Sequence, residues 1–145
     1  MSPVLLDKLL LITSLFRQDM TRAFAGTPLT ESRVTLLWSL ALTGPSTQQA
    51  LSESLSVSPR NISGLVDVLE RHGYVRRVPH PSDRRAVLVQ LTAEGDAVMV
   101  RMQREHAELN ADLGNAVAPA DRAAFGRGMD AMLARLVELT SSAPV

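Results

Sequence analysis

The residues with the clearest chemical potential lie at positions 79–85, which read Pro-His-Pro-Ser-Asp-Arg-Arg. Arginine binds phosphate and the edges of bases, and a carboxylate beside a guanidinium can hold that group at a defined angle. Asp83 and Arg85 are two residues apart, so on an extended segment both side chains would project to one side. The alternative is a charged, solvated turn, and the choice between the two depends on the elements that carry this segment.

An extended hairpin carries the segment, and a pair of helices precedes it. The β-branched stretches on either side predict a hairpin at about 74–91, which we call the wing. Residues at about 47–72 predict two helices joined by a short turn, a helix-turn-helix. Ser58 and Pro59 are typical of a helix start, and Gly73 is typical of the position after a helix end.

The second helix of this pair leaves polar residues facing outward near its start. Ile62 is predicted to pack on the first helix, which leaves Arg60, Asn61 and Ser63 outside, with Gly64 allowing a close backbone approach. Arginine can bond guanine and asparagine can bond adenine, and recognition helices contact base edges at this position. A plain helical hairpin is an equal alternative for the helix pair alone. The wing directly behind it favours a nucleic-acid interface.

Positive charge is concentrated on the same region. The chain has 15 basic and 15 acidic residues, and a net charge of zero by itself argues against a phosphate-binding surface. Residues 58–85, however, hold six arginines and three acids, a net charge of +3, and the remaining residues carry −3. The basic balance therefore coincides with the predicted second helix and the wing.

The rest of the sequence predicts a mainly α fold. Hydrophobic residues make up 46% of the chain but only five residues are aromatic, so Leu, Val, Ala and Met must fill the core, which favours packed helices. Apolar residues recur at three- and four-residue steps over about 4–25, and Thr30 is typical of the start of a second helix. Thr92 begins a long helix, and Pro119 begins a last one that ends near position 139.

Several classes of protein are excluded by what the sequence lacks. Cysteine is absent, which excludes disulfides, thiol chemistry and cysteine-ligated zinc. No stretch reaches the ~18 consecutive apolar residues of a membrane span. The apolar N-terminal run contains charges and lacks a basic start, unlike a signal peptide. We expect a soluble, cytoplasmic protein with no membrane partner.

No constellation for catalysis or metal binding competes with the nucleic-acid interpretation. The sequence contains no Ser-His-Asp arrangement, glycine-rich phosphate loop or His-x-x-x-His spacing. His106 lies among acidic residues on one predicted helix, where a solvated face is favoured over a metal site. His80 lies in the wing, where a phosphate contact and a solvated side chain are equally open. We therefore predict no enzyme activity, no cofactor and no metal.

Three short motifs in the second helix and the wing are specific in combination. Residues 65–77 read Leu-Val-Asp-Val-Leu-Glu-Arg-His-Gly-Tyr-Val-Arg-Arg, residues 81–86 read Pro-Ser-Asp-Arg-Arg-Ala, and residues 91–95 read Leu-Thr-Ala-Glu-Gly. Together they closely resemble the MarR family of winged helix-turn-helix transcriptional regulators. Ser52 and Ser56 depart from the family pattern, which usually has alanine and glycine there. Both residues are small, so we expect the fold to be kept.

The resemblance implies a single winged-helix domain over residues 1–145, with a small β-hairpin wing. The terminal helices, at about 4–25 and 92–139, would form a dimer interface. A small amphipathic effector would bind between the dimerisation helices and the winged helix. The candidate ligand-binding residues are Phe16, Met20, Phe24 and Trp38, with Arg17 able to meet an anionic group.

The resemblance also implies roles for residues of the wing. Arg85 would enter the minor groove of DNA, Asp83 would orient it, and Arg84 would contact phosphate. The full set of residues predicted to contact DNA is Thr47, Gln48, Ser58, Arg60, Asn61, Ser63, Gly64, Arg77, Asp83, Arg84 and Arg85.

These observations predict a sequence-specific DNA-binding transcriptional regulator. Its simplest form is a homodimeric repressor on a pseudo-palindromic operator in double-stranded DNA, released by a small amphipathic ligand. Two other interpretations stay open. A winged helix used for protein partners would have an apolar rather than an arginine-rich face, and a small helical enzyme would need a convergent titratable cluster that the sequence does not contain.

Overall fold

The computed structural model describes residues 4–141, which form six helices and three short strands. In chain order the elements are α1 Leu5–Phe24, α2 Glu31–Thr43, β1 Ser46–Thr47, α3 Gln48–Leu55, α4 Pro59–Arg71, β2 Val75–Pro79, β3 Val87–Leu91, α5 Ala93–Ala116 and α6 Arg122–Ser141. The strands form one antiparallel sheet, so the predicted mainly α fold with a small β-hairpin wing is confirmed. The chain divides into two compact units, one up to Val100 and one from Arg101 on.

Side-chain caps fix the helix starts in the first unit. The Thr30 hydroxyl oxygen accepts a hydrogen bond from the Arg33 N–H at 3.3 Å, and the Ser58 hydroxyl oxygen accepts one from the Asn61 N–H at 3.2 Å. Pro59 occupies the first turn of α4, where its missing N–H has no helical partner to lose. These contacts confirm the two helix starts that the residue types predict.

The strands β2 and β3 form the predicted wing, with Val75 opposite Leu91 and Pro79 opposite Val87. The third strand, β1, pairs with the other edge of β3 and was not predicted. Two residues are too few to show the alternation of apolar and polar residues on which a strand prediction rests. Because β1 leads directly into α3, the sheet anchors the start of the helix-turn-helix to the wing.

The core of the first unit lies among α2, the helix-turn-helix and the sheet. Its side chains with at most 2% exposure are Leu36, Leu37, Leu40, Leu51, Ile62, Val66, Leu69, Val75, Val89 and Met99. All are aliphatic or methionine, as the scarcity of aromatic residues requires. Because α4 contributes three of these side chains, the packing of its apolar face sets its orientation in this unit.

Hydrogen bonds and close packing join the start of α5 to the start of the wing. The Thr92 N–H donates to the Tyr74 carbonyl at 3.1 Å, and the Thr92 hydroxyl donates to the Gly73 carbonyl. The same hydroxyl oxygen accepts the Gly95 N–H at 3.1 Å, which caps α5. Gly95 is buried against the Tyr74 carbonyl, and a Cβ atom there would overlap the carbonyl oxygen. The Leu-Thr-Ala-Glu-Gly motif therefore has a packing role.

The second unit contains the rest of α5 and α6, and one predicted helix start in it is wrong. Pro119 does not begin α6. It occupies the second position of a turn from Ala118 to Asp121, in which the Asp121 N–H bonds the Ala118 carbonyl at 2.9 Å. The fixed φ of proline favours that turn position as much as a helix start. The helix begins at Arg122, and the Phe125 N–H bonds the Asp121 carbonyl at 2.8 Å.

Both α1 and α6 carry large apolar side chains that the single chain leaves exposed, and neither helix has a buried residue. Those on α1 are 42–61% exposed: Leu5, Leu6, Leu10, Leu11, Ile12, Leu15 and Phe16. Those on α6 are 51–62% exposed: Phe125, Leu133, Leu136, Val137 and Leu139. Apolar surface of this extent is typical of protein-binding faces. Among residues 4–141, no helix has both the length and the hydropathy needed to cross a bilayer.

We expect Gly95→Ala to lower the free energy of unfolding by roughly 1–3 kcal/mol, because the added methyl group meets backbone, which cannot move aside. Gly114→Ala is the matched control in the same helix. A methyl group there meets no atom within 4 Å, so stability should rise by about 0.5–1 kcal/mol from helix propensity. Urea unfolding measures both variants. A Gly95→Ala protein as stable as the wild type would contradict the close packing of α5 on Tyr74.

Candidate nucleic-acid interface

Helix α4 has one buried face and one exposed face. Ile62, Val66 and Leu69 are fully buried, as the helical period of the sequence predicts. After Pro59 at the start of the helix, the exposed positions recur at steps of one, three and four residues, which place them on the opposite side: Arg60, Asn61, Gly64, Asp67 and Arg71. The first three lie in the first two turns of the helix. The structure therefore brings Arg60, Asn61 and Gly64, three of the residues predicted to contact DNA, together on one accessible face.

Four other predicted contact residues lie around this face, and three of them, Ser58, Thr47 and Gln48, have part of their bonding capacity used. Ser58 and Thr47 cap α4 and α3, because their hydroxyl oxygens accept backbone N–H groups of the following turn at 3.2 and 3.1 Å. Ser63 is half-buried at the edge of the exposed face of α4. Gln48 is also half-buried, and its amide oxygen is engaged by Arg77. The hydroxyl hydrogens of the two caps are left as donors.

The turn between α3 and α4 accommodates both departures from the family pattern. Ser56 has a φ of 52° and a ψ of 42°, the left-handed conformation that glycine adopts without strain. The Ser52 hydroxyl donates a hydrogen bond to the Val57 carbonyl across the same turn. Alanine at position 52 could not make that bond. The serine pair thus combines a strained residue with an additional contact that closes the turn.

The tip of the wing is a tight turn from Asp83 to Ala86, in which the Ala86 N–H bonds the Asp83 carbonyl at 3.2 Å. Arg84 and Arg85 are its two central residues, and both side chains are exposed. The expectation that Asp83 and Arg85 lie side by side on an extended segment is wrong. The Asp83 carboxylate instead accepts the backbone N–H of Arg85 at 2.9 Å. It fixes the backbone that carries the arginine and leaves the guanidinium to other partners.

Arg77 holds the wing against the helix-turn-helix. On β2 it donates to the Asp67 carboxylate at 2.6 Å, to the Glu70 carboxylate at 2.9 Å and to the Gln48 amide oxygen at 3.1 Å. Its backbone N–H also donates to Glu70, at 2.7 Å. One guanidinium therefore connects β2 to both helices of the helix-turn-helix. We call these four residues the Arg77 clamp.

The negative charges of Asp67 and Glu70 stabilise the charged form of Arg77. Partial burial tends to lower the pKa of Arg77, but hydrogen bonds from Asp67 and Glu70 and their negative charges outweigh it, so the pKa of the guanidinium is raised above its ordinary value. The guanidinium is therefore charged at every physiological pH. With its donors facing these partners, Arg77 is placed to position the wing, whereas the sequence predicts it as a DNA contact.

The clamp also changes the local charge balance of the candidate interface. Asp67 and Glu70 are two of the three acids in residues 58–85, and both are paired with Arg77. The other five arginines of that range are exposed: Arg60, Arg71, Arg76, Arg84 and Arg85. Arg77, Asp67 and Glu70 together carry a net charge of −1, so the other five arginines and Asp83 carry +4, and the positive charge is concentrated on those arginines. Asp67 and Glu70 lie three residues apart on α4 and so share one face of the helix. This spacing is the one signal in the sequence that could have predicted their pairing with Arg77.

The candidate ligand-binding residues are only partly brought together. Arg17, Met20 and Phe24 line a cavity of about 480 Å³ between the end of α1 and the start of α2. Phe16 and Trp38 do not line it: Phe16 is exposed on α1, and Trp38 is half-buried on α2. Residues not predicted complete the lining, namely Thr21, Ala25, Leu29, Thr30 and Glu31. Within residues 4–141, no group of three or more His, Cys, Asp or Glu side chains could hold a metal ion.

We expect Arg77→Ala to lower the free energy of unfolding by about 1 kcal/mol, because it removes charge-assisted hydrogen bonds whose partners are partly exposed. Arg77→Lys should recover little, since an ammonium group cannot reproduce a fork that reaches three partners. Arg101→Ala is the control, because Arg101 lies 3.9 Å from Glu105 in an exposed pair and should contribute almost nothing. Urea unfolding compares the three, and equal effects at positions 77 and 101 would contradict the clamp.

Comparison with known proteins places this surface in a family. The MarR family model matches residues 29–87, which include the helix-turn-helix and most of the wing. An uncharacterized HTH-type transcriptional regulator of Mycobacterium bovis, Mb0904, is 30% identical over 113 residues, which are 78% of this chain and 79% of that protein. The multiple antibiotic resistance protein MarR of Salmonella typhimurium is 33% identical over 86 residues, 59% of this chain and 60% of that protein.

Among solved structures, the crystal structure of Streptococcus pneumoniae FabT in complex with DNA superposes with a TM-score of 0.84. The alignment covers 92% of this chain and 95% of FabT at 20% identity, a level that shows a shared fold. This chain spans 36–54% of the length of several curated relatives that it matches. Because the family model matches the helix-turn-helix and the mycobacterial relative aligns over 79% of its length, the chain belongs to the MarR family.

Proposed function

We propose that the protein is a sequence-specific DNA-binding transcriptional regulator, a homodimeric repressor that a small amphipathic ligand releases from its operator. One observation carries the proposal: the exposed polar face of α4 lies beside a wing whose turn presents Arg84 and Arg85 to solvent. A protein with the same fold, FabT, has been crystallised in complex with DNA, which supports a DNA partner. Binding to chromosomal DNA would place its action in the cytoplasm.

In this proposal α4 enters the major groove with its N-terminal half. Arg60 bonds guanine or phosphate, Asn61 bonds adenine, and Gly64 lets the helix backbone approach the base edges. Ser63 lies beside them, while Thr47, Gln48 and Ser58 lie near the phosphate backbone. Arg84 contacts phosphate and Arg85 enters the adjacent minor groove, with Asp83 fixing the turn. Arg77 contributes by holding α4 and the wing at one angle.

The alternative of a winged helix that binds proteins is less well supported. Such a surface should be apolar at its centre and depleted in charge. The exposed face of α4 instead carries arginine, asparagine and glycine, and the wing adds further arginines. The third interpretation, a small enzyme, receives no support from relatives such as PecS and Mb0904, whose names describe transcriptional regulators.

The exposed apolar helices support the homodimer. The apolar rows on α1 and α6 are too long for one chain to leave in water, and pairing with a second copy would bury them. A two-fold axis would direct two recognition helices to the same side of a duplex. The operator would then be an imperfect inverted repeat whose half-sites lie about one helical turn apart.

The cavity beside α1 supports the effector. Met20 and Phe24 provide an adaptable apolar wall, and Arg17 provides a cation that could bind a carboxylate. A volume of about 480 Å³ falls within the usual range for small-molecule sites. We therefore retain Arg17, Met20 and Phe24 as the effector contacts, and Phe16 and Trp38 as neighbours outside the cavity.

We expect Arg85→Ala to weaken specific DNA binding by roughly 1–3 kcal/mol, through loss of a groove contact. Asp83→Ala should weaken it less. Asp83→Asn should be milder still, because the amide oxygen can still accept the Arg85 N–H. The measurement is the affinity for a duplex that the wild type selects from a random library. Arg104→Ala is the control, because it removes the same charge from an exposed site on α5. Wild-type affinity of Arg85→Ala would contradict the assignment of the wing.

The stoichiometry on DNA tests the dimer. Sedimentation of the protein with the selected duplex should give two chains on one imperfect inverted repeat. Because both wings and both α4 helices provide phosphate contacts, log affinity should fall steeply as log salt concentration rises. A single chain bound with full affinity to one asymmetric half-site would contradict the dimer while leaving DNA binding intact.

A further inference from the structure

The wing contains a histidine whose backbone is constrained on both sides. His80 lies between Pro79 and Pro81. Pro81 holds the preceding residue extended and offers no N–H of its own. The first backbone donors after His80 are therefore the N–H groups of Ser82 and Asp83. An acceptor close to position 80 could bind both donors and so hold the loop in its reversed path.

The imidazole of His80 is that acceptor. Its Nδ1 atom accepts hydrogen bonds from the backbone N–H groups of Ser82 and Asp83, both at 3.1 Å. The Ser82 hydroxyl lies at 3.3 Å from the same nitrogen. A ring nitrogen that accepts hydrogen bonds carries no proton, so these contacts require the form of the ring whose proton lies on Nε2. The side chain performs the function that an asparagine or aspartate oxygen performs in an Asx turn.

His80 holds both ends of the arginine turn. Its backbone N–H donates to the Ala86 carbonyl at 3.1 Å, on the far side of the turn. Its ring accepts the N–H of Asp83, the first residue of the turn. Asp83 in turn accepts the Arg85 N–H through its carboxylate. A continuous set of hydrogen bonds therefore runs from the His80 ring to the backbone of Arg85.

We propose that His80 is a positioning residue for DNA binding: its neutral imidazole builds the turn that presents Arg84 and Arg85. This role rests on the proposed DNA-binding function and requires no contact between His80 and DNA. It also makes the turn sensitive to protonation, because an imidazolium has no lone pair to offer the two N–H groups. The charged residues of the wing are Asp83, Arg84 and Arg85 in the loop and Arg76 and Arg77 on β2, while β3 carries none.

The first arm of the test examines the free protein by NMR. At about pH 8, where an ordinary histidine is neutral, the Ser82 and Asp83 amides should be hydrogen-bonded in the wild type. Both amides should lose these hydrogen bonds in His80→Ala and keep them in His80→Asn. On acidification the two amides should shift together with the ring in the wild type and stay unchanged in His80→Asn. The proposal would be overturned if the NMR signals of both amides changed neither during the ring titration nor in His80→Ala.

The second arm measures affinity for the duplex selected by the wild type, at about pH 8. Loss of a hydrogen-bonded turn should weaken binding by His80→Ala roughly fivefold. His80→Asn should stay within about twofold of the wild type, and Ser82→Ala should match the wild type because it keeps the backbone N–H. Melting curves check that all variants fold. Equal affinities for His80→Ala and the wild type, or equal losses in the Ala and Asn variants, would overturn the positioning role.

The two arms separate this inference from the proposed function. If the wild type selects no duplex, the proposed DNA binding fails, and the positioning role fails with it. The NMR arm still decides whether His80 builds the turn. If the wild type binds a selected duplex and Arg85→Ala loses affinity while His80→Ala does not, the proposed function stands and only the role of His80 is refuted.

Discussion

The interaction on which the candidate interface depends most is the one between Arg77 and its three partners. A winged helix can read DNA only if the recognition helix and the wing keep a fixed angle, because each reaches a different groove. Hydrophobic packing fixes α4 through Ile62 and its buried neighbours. The wing is a two-stranded hairpin with a third, two-residue strand beside it, and it reaches the core through Val75 and Val89. The Arg77 guanidinium supplies a directional connection between α3, α4 and β2.

Arginine has two different roles in this small surface, a structural one and an exposed one. Arg77 is partly buried and its donors face protein acceptors, whereas Arg84 and Arg85 are exposed at the wing turn. The acids Asp67 and Glu70 both pair with Arg77 and not with the exposed arginines of the wing turn. A surface that is neutral by composition can therefore present a basic face, because the position of each charge matters more than the sum.

At the wing tip, hydrogen bonds to the backbone determine where the arginines lie. Asp83 and His80 both act on main-chain N–H groups, so the guanidinium groups stay available for phosphate or a groove. This arrangement explains why a short loop with two prolines can hold a defined shape without a core. Hydrogen bonds to the backbone also fix the other end of the wing, where the Thr92 N–H bonds the Tyr74 carbonyl and the Thr92 hydroxyl bonds the Gly73 carbonyl.

The sequence by itself determined the helices, their caps, the wing and the family, because these follow from apolar periodicity and from residues such as Ser58 and Pro59 with local preferences. It also identified the exposed face of α4. It could not assign Arg77 or the donor to the Asp83 carboxylate, since every arginine in a basic segment has the same local signature. Only the tertiary structure decided which arginine faces acids and which faces solvent, because partners distant in sequence, such as Gln48 and Arg77, meet only when the sheet packs against the helices.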